Sequence, residues 1–264
     1  MRDPLDDFTA SDFAHAGKTR KVFRKGTGPA VIVMAELPGI TPKVADFARR
    51  VADIDCTAVM PDLFGDAGAE PGAATYLKVI GPACISREFR AFALSDTTPI
   101  SHWLRALAAS AHQECGGPGV GAVGMCFTGG FALGMMLDDR MLAPVLSQPS
   151  LPLGVGSRFK RELGISDTDL ARVKERAAAG TEVLGLRFTC DRLVPAERFE
   201  RLRAELGDAF IGVEIDSSPG NAWDIPKNAH SVLTEHLVDE PGHPTHEALN
   251  QVLDFFAARL LTTT

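Results

Sequence analysis

Short apolar runs alternate along this chain with helix-patterned segments of about a dozen residues, and this alternation restricts the fold more than any other feature. "AVIVMA" (Ala30 to Ala35) is apolar without a break, as a strand buried on both faces must be. Strands are likewise expected at Thr19 to Arg24, Cys56 to Met60, Val120 to Gly124, within Ala143 to Leu153, and at Glu182 to Thr189 and Ala209 to Ile215. Between them, "TPKVADFARRVAD" has Thr41 placed as N-cap, Pro42 at the first helical position, and Val44, Phe47 and Val51 on one face. A second helix starts at Thr98-Pro99, carries Ile100, Trp103, Leu104 and Leu107, and stops at Gly116-Gly117-Pro118. Further helices are capped by Ser166 and closed by Gly180, run from Pro195 with Phe199, Leu202 and Leu206 inward, and run from Thr245 to about Leu261. Strands alternating with helices imply an α/β fold with a mainly parallel central sheet and helices on both faces. Residues before Lys18 read as a polar lead-in and Phe64 to Ser95 as loop and short helical pieces over the sheet end. No repeat or linker divides residues 1–264, so one domain is expected, with 157–180 long enough to form a small cap.

Charge and cysteine usage narrow the function classes. The net charge is -7, and the most basic stretch, "KTRKVFRK", alternates with Val22 and Phe23 as a half-buried strand does, so nucleic acid is not an expected partner. Cys56, Cys84, Cys115, Cys126 and Cys190 show no C-x-x-C pair and are expected to be reduced thiols in a cytoplasmic protein without a bound metal. The amino terminus lacks a signal-type apolar core, and no apolar run suits a membrane span.

The segment "GVGAVGMCFTGGFAL" admits two chemistries. Gly119, Gly121 and Gly124 spell the dinucleotide fingerprint, but that motif needs a strand before its first glycine, where this chain has "HQECGGP". The strand lies inside the match, which opposes a nucleotide-dependent oxidoreductase. Strand, glycine turn and helix instead put Cys126 at a nucleophile elbow, with Gly124 small where strand and helix cross and Thr128 a bulkier compromise. Spacing alone leaves open whether Cys126 is a nucleophile or a small buried hydrophobe. A catalytic thiol needs a base and a residue to orient it. Asp191 follows the strand Glu182 to Thr189, and His230 follows the strand Ala209 to Ile215. His236, His243 and His246 compete with His230, whereas His15, His102 and His112 precede the expected order and read as structural.

The pieces "AELPG", "VMPDLFG", "GMCFTGG", "CDRLVP" and "NAHS" occur in the order found in the dienelactone hydrolases, cysteine-nucleophile members of the α/β-hydrolase superfamily, and the chain resembles that family across most of its length. The resemblance implies an α/β-hydrolase fold, Cys126 as nucleophile, His230 as base and Asp191 as its orienting acid. It implies that Glu36 contacts the resting thiol and is displaced by substrate, and that the N–H groups of Leu37 and Phe127 form the oxyanion hole. Family members hold a substrate carboxylate with arginines, one shortly after the histidine. Here that region reads "HSVLTEHL", which leaves Arg87 and Arg90 to make such a contact. The expected activity is hydrolysis of a small ester, lactone or thioester without metal or organic cofactor. The contrasting expectation is a catalytically silent relative that binds a ligand or partner.

Overall fold

The computed structural model describes residues 2–72, 99–151 and 157–261. Among the described residues, eight strands form one sheet in the order β1-β2-β4-β3-β5-β6-β7-β8. They are β1 (Thr9–His15), β2 (Lys18–Lys25), β3 (Ala30–Met34), β4 (Thr57–Pro61), β5 (Val120–Met125), β6 (Met141–Ser147), β7 (Val183–Phe188) and β8 (Phe210–Ile215). β1 and β2 are an antiparallel hairpin and β2 runs antiparallel to β4, while β4, β3, β5, β6, β7 and β8 are mutually parallel. The polar lead-in is therefore partly a strand. β1 is an edge strand exposed along nearly all its length, so it lacks the half-buried alternation by which a strand is read from sequence.

The described helices are α1 (Pro42–Asp53), α2 (Pro99–Cys115), α3 (Gly129–Met135), α4 (Ser157–Arg161), α5 (Asp167–Ala178), α6 (Ala196–Leu206) and α7 (Pro244–Leu260). Two apolar cores form, one on each face of the sheet, and successive residues of β3 divide between them. Ile32 and Met34 pack with residues of α2, α3, α5 and α6, while Val31 and Val33 pack with residues of α1 and α7. This is why β3 is apolar at every position. α1 starts where its sequence says, with Thr41 Oγ1 accepting from Val44 N–H at 3.3 Å, and Ser166 caps α5 in the same way.

The 157–180 connection includes α5, which takes the place of a crossover helix between β6 and β7. Leu170, Val173 and Ala177 enter the core shared with α3 and α6. Arg176 is buried and donates to the carbonyls of Met136, Asp138, Asp139 and Met141, tying α5 to the turn before β6. No helix among the described residues is long and apolar enough to cross a membrane.

Candidate active site

Parallel strands point their carboxyl ends the same way, and loops leaving those ends gather the chemistry-bearing residues of such sheets. Glu36 follows β3, Cys126 follows β5, Ser147 ends β6 with Gln148 and Ser150 beyond it, Asp191 follows β7 and His230 lies beyond β8. β5 is flanked by β3 and β6, with Met34 opposite Gly124 and Met125 opposite Ser147, so the elbow emerges between the Glu36 and Ser150 loops.

Cys126 has φ +55°, the left-handed backbone that side-chain-bearing residues adopt at a cost. It begins a single 3₁₀ turn, Cys126–Thr128, that leads into α3. Gly124 is obligatory for this turn, because a Cβ there would lie 2.1 Å from the Thr128 carbonyl oxygen. Thr128 is more than a tolerated compromise. Its buried hydroxyl accepts from Met125 N–H at 2.8 Å and lies 2.9 Å from the Met34 carbonyl, to which it can donate, joining the elbow to β3. The Cys126 sulfur lies 3.0 Å from the Ser150 hydroxyl, and Ser150 N–H donates to the Cys126 carbonyl at 3.0 Å.

Asp191 is 6% exposed, and its Oδ2 lies 2.6 Å from His230 Nδ1 while Oδ1 accepts from Leu193 N–H at 2.9 Å. Burial opposes a charge on the His230 ring. The hydrogen bond to Asp191 and the nearby Cys126 sulfur outweigh it and push the histidine pKa up to about 10. Nε2, the other ring nitrogen, is buried without an aligned hydrogen-bond partner among the described residues.

The competing histidines have other occupations. His236 Nδ1 accepts from the N–H groups of Ser231 at 3.2 Å and His230 at 3.4 Å. Burial first, then the neighbouring His230, lowers the His236 pKa, in keeping with a neutral acceptor. His243 caps α7 by accepting from Thr245 N–H, and His246 pairs with Asp239. His102 contacts Arg105, His112 contacts the Gly117 carbonyl, and His15 is exposed on β1.

Glu36 is buried at 5% exposure, and both of its carboxylate oxygens are hydrogen-bonded. Oε2 accepts from Ser231 Oγ at 2.6 Å and from Gln148 Nε2 at 3.3 Å, and Oε1 accepts from Thr234 Oγ1. Burial raises its pKa, while Ser231, Thr234 and the charge of His230 pull it back. The hydrogen-bond contact of the Cys126 side chain is with the Ser150 hydroxyl, and those of the Glu36 carboxylate are with Ser231, Gln148 and Thr234. Ser150, Gln148 and Thr234 carried no motif by which sequence could single them out. Leu37 follows Glu36 beyond β3 and Phe127 follows Cys126 beyond β5, so the two residues leave the ends of neighbouring strands. Arg87 and Arg90 lie outside the described residues.

The model of the dienelactone hydrolase family matches residues 16–260. The chain belongs to the dienelactone hydrolase family. Solved structures agree on the fold of this family member. A dienelactone hydrolase-like promiscuous phosphotriesterase from metagenomic libraries is 19% identical with a TM-score of 0.62, the alignment covering 96% of this chain and 98% of the other. A putative dienelactone hydrolase from Klebsiella pneumoniae subsp. pneumoniae is 18% identical with a TM-score of 0.61, covering 95% and 98%. The dienelactone hydrolase of Anabaena variabilis is 15% identical with a TM-score of 0.62, covering 96% and 98%. No curated protein matches the sequence. Family membership makes the chain a hydrolase with the α/β-hydrolase fold.

Proposed function

We propose that this hydrolase cleaves small carboxylic esters, lactones or thioesters through Cys126, His230 and Asp191. The observation that carries the reading is the 2.6 Å contact of His230 Nδ1 with Asp191, which leaves Nε2 for the Cys126 sulfur. With its pKa raised to about 10, His230 already holds the proton at neutral pH, and the Cys126 thiolate paired with it attacks the substrate carbonyl, forming a carbon–sulfur bond. The carbonyl oxygen takes the negative charge and accepts from the Leu37 and Phe127 N–H groups, each such donor contributing about 3 kcal/mol in comparable holes. The intermediate collapses, the carbon–oxygen bond of an ester breaks, and His230 Nε2 returns the proton to the leaving alkoxide. Water then gives a proton to His230 and adds to the acyl-thioester, releasing the acid and the thiol. Asp191 holds the imidazole in the tautomer that presents Nε2 and stabilises the imidazolium. Arg87 and Arg90 would hold a carboxylate on the substrate.

The test is hydrolysis of short-chain p-nitrophenyl esters, with iodoacetamide labelling read by intact mass. Wild type should turn over, Cys126→Ala should not, and His230→Gln should lose about 10³-fold or more in kcat, the scale seen when one member of such a set is removed. Full activity in Cys126→Ala would sink the mechanism. Activity lost in His236→Ala and retained in His230→Ala would reassign the base.

A further inference from the structure

Glu36 is a buried titratable group that the proposed chemistry does not use, and its surroundings are built with care. Ser231, Thr234 and Gln148 all direct donors at its carboxylate. Gln148 makes a bridge of the arrangement, since its Oε1 accepts from Val232 N–H at 3.2 Å and from Ser147 Oγ. The Gln148 N–H donates to the Leu186 carbonyl of β7 at 2.8 Å. Gln148 is fully buried and has φ +36°, a left-handed backbone that a residue with a side chain adopts at a cost. The ends of β3, β6 and β7 thus meet at the segment 231–234, directly after His230. A buried carboxylate is costly unless its oxygens are satisfied, and three donors here occupy most of their roughly four acceptor positions. On the other side of the same segment, His236 accepts from the N–H groups of residues 230 and 231.

The geometry points to Glu36 as a positioning residue: through Ser231, Thr234 and Gln148 its carboxylate fastens the 231–234 segment to the sheet ends and holds His230 between Asp191 and Cys126 at all stages of the reaction. This rests on the Cys126–His230 reading above and differs from a carboxylate that covers the resting thiol and leaves when substrate arrives. Glu36 has its partners in Ser231, Thr234 and Gln148, and the sulfur has its partner in Ser150.

The two roles predict opposite signs for the same measurement. Wild type, Glu36→Gln, Thr234→Val and Thr234→Ser are compared for Cys126 alkylation by iodoacetamide without substrate and for kcat and KM on a p-nitrophenyl ester, with Tm recorded for each. Expected are losses on the order of tenfold in both alkylation rate and kcat for Glu36→Gln and Thr234→Val, as a displaced base gives, with KM little changed. Thr234→Ser, which keeps the hydroxyl, should recover most of the loss. A folding defect would lower Tm and the active fraction without the recovery pattern following the hydroxyl. Alkylation that is unchanged or faster in Glu36→Gln or Thr234→Val overturns the inference while leaving the Cys126–His230 chemistry intact. Wild-type alkylation no faster than that of His230→Gln overturns both, since there is then no positioned base.

Discussion

Cys126 shows how few atoms hold the proposed nucleophile in place. Its φ of +55° is sustained by Gly124, which has no Cβ to meet the Thr128 carbonyl, and by the Thr128 hydroxyl, which spans Met125 and Met34. Gly124→Ala should therefore cost about 3 kcal/mol or more in urea unfolding, the range of forced backbone strain in a packed core, and abolish alkylation of Cys126. Thr128→Val keeps the shape but orphans a buried donor and acceptor, and about 1–3 kcal/mol should be lost by the same measurement. At His230, Asp191 contributes to raising the imidazole pKa from 6.5 to about 10. The charged ring is favoured in the folded state, so its contribution is complete below pH 6.5 and lost as pH rises through 10. The stability deficit of Asp191→Asn should accordingly be largest near pH 6 and shrink toward alkaline pH, measured by urea titration at several pH values. A deficit that grows with pH would refute this assignment.

Among the elements, α6 does more than cover the sheet. Its Arg198 is buried at 2% exposure and donates to the carbonyls of Pro149, Leu193, Glu162 and Phe159. Pro149 precedes the Ser150 that meets the Cys126 sulfur, and Leu193 gives its N–H to Asp191. One guanidinium thus links the loops beside the thiol and the acid to each other. Burial lowers its pKa to about 10, still high enough to keep it charged at neutral pH. Arg198→Met retains the apolar stem but leaves several carbonyls unpaired, and a loss of about 3 kcal/mol or more is expected in urea unfolding. Helix patterning hides this residue, because an arginine in "PAERFERLRAELG" reads as solvent-facing. α1 offers the opposite case, where Thr41 and Pro42 mark the start and Thr41→Ala should cost about 1 kcal/mol.

Over the whole molecule, the carboxylates divide by sign. Asp3, Asp138 and Glu214 are held below their ordinary values, by the Arg49 hydrogen bond for Asp3 and, against an opposing cost of burial, by Arg140 for Asp138 and Arg203 with Arg187 for Glu214. Their contribution is present above the unfolded values near 4 and lost as pH falls through the folded ones. Glu36 has the reverse sign: burial raises it, so ionising it at neutral pH costs stability. The stability lost in Glu36→Gln should therefore be larger at pH 5 than at pH 8 in urea unfolding, and a loss that grows with pH would refute this sign.

Sequence alone determined what local rules control. The unbroken apolar strands required a sheet covered on both faces, Thr41 and Ser166 set helix starts, and Gly124 with Cys126 spelled the turn, because each signal is contained within a few bonded neighbours. The order Cys126, Asp191, His230 was legible too, and the 2.6 Å contact of the last two is where that order leads. Only the tertiary structure decided that exposed β1 pairs with β2, that Ser150 meets the sulfur, and that Glu36 is bound by Gln148, Ser231 and Thr234. Those partners stand 112, 195 and 198 positions from Glu36 along the chain. A polar bond between strand ends so far apart leaves no period in the sequence, and it exists only once the sheet has brought those ends together.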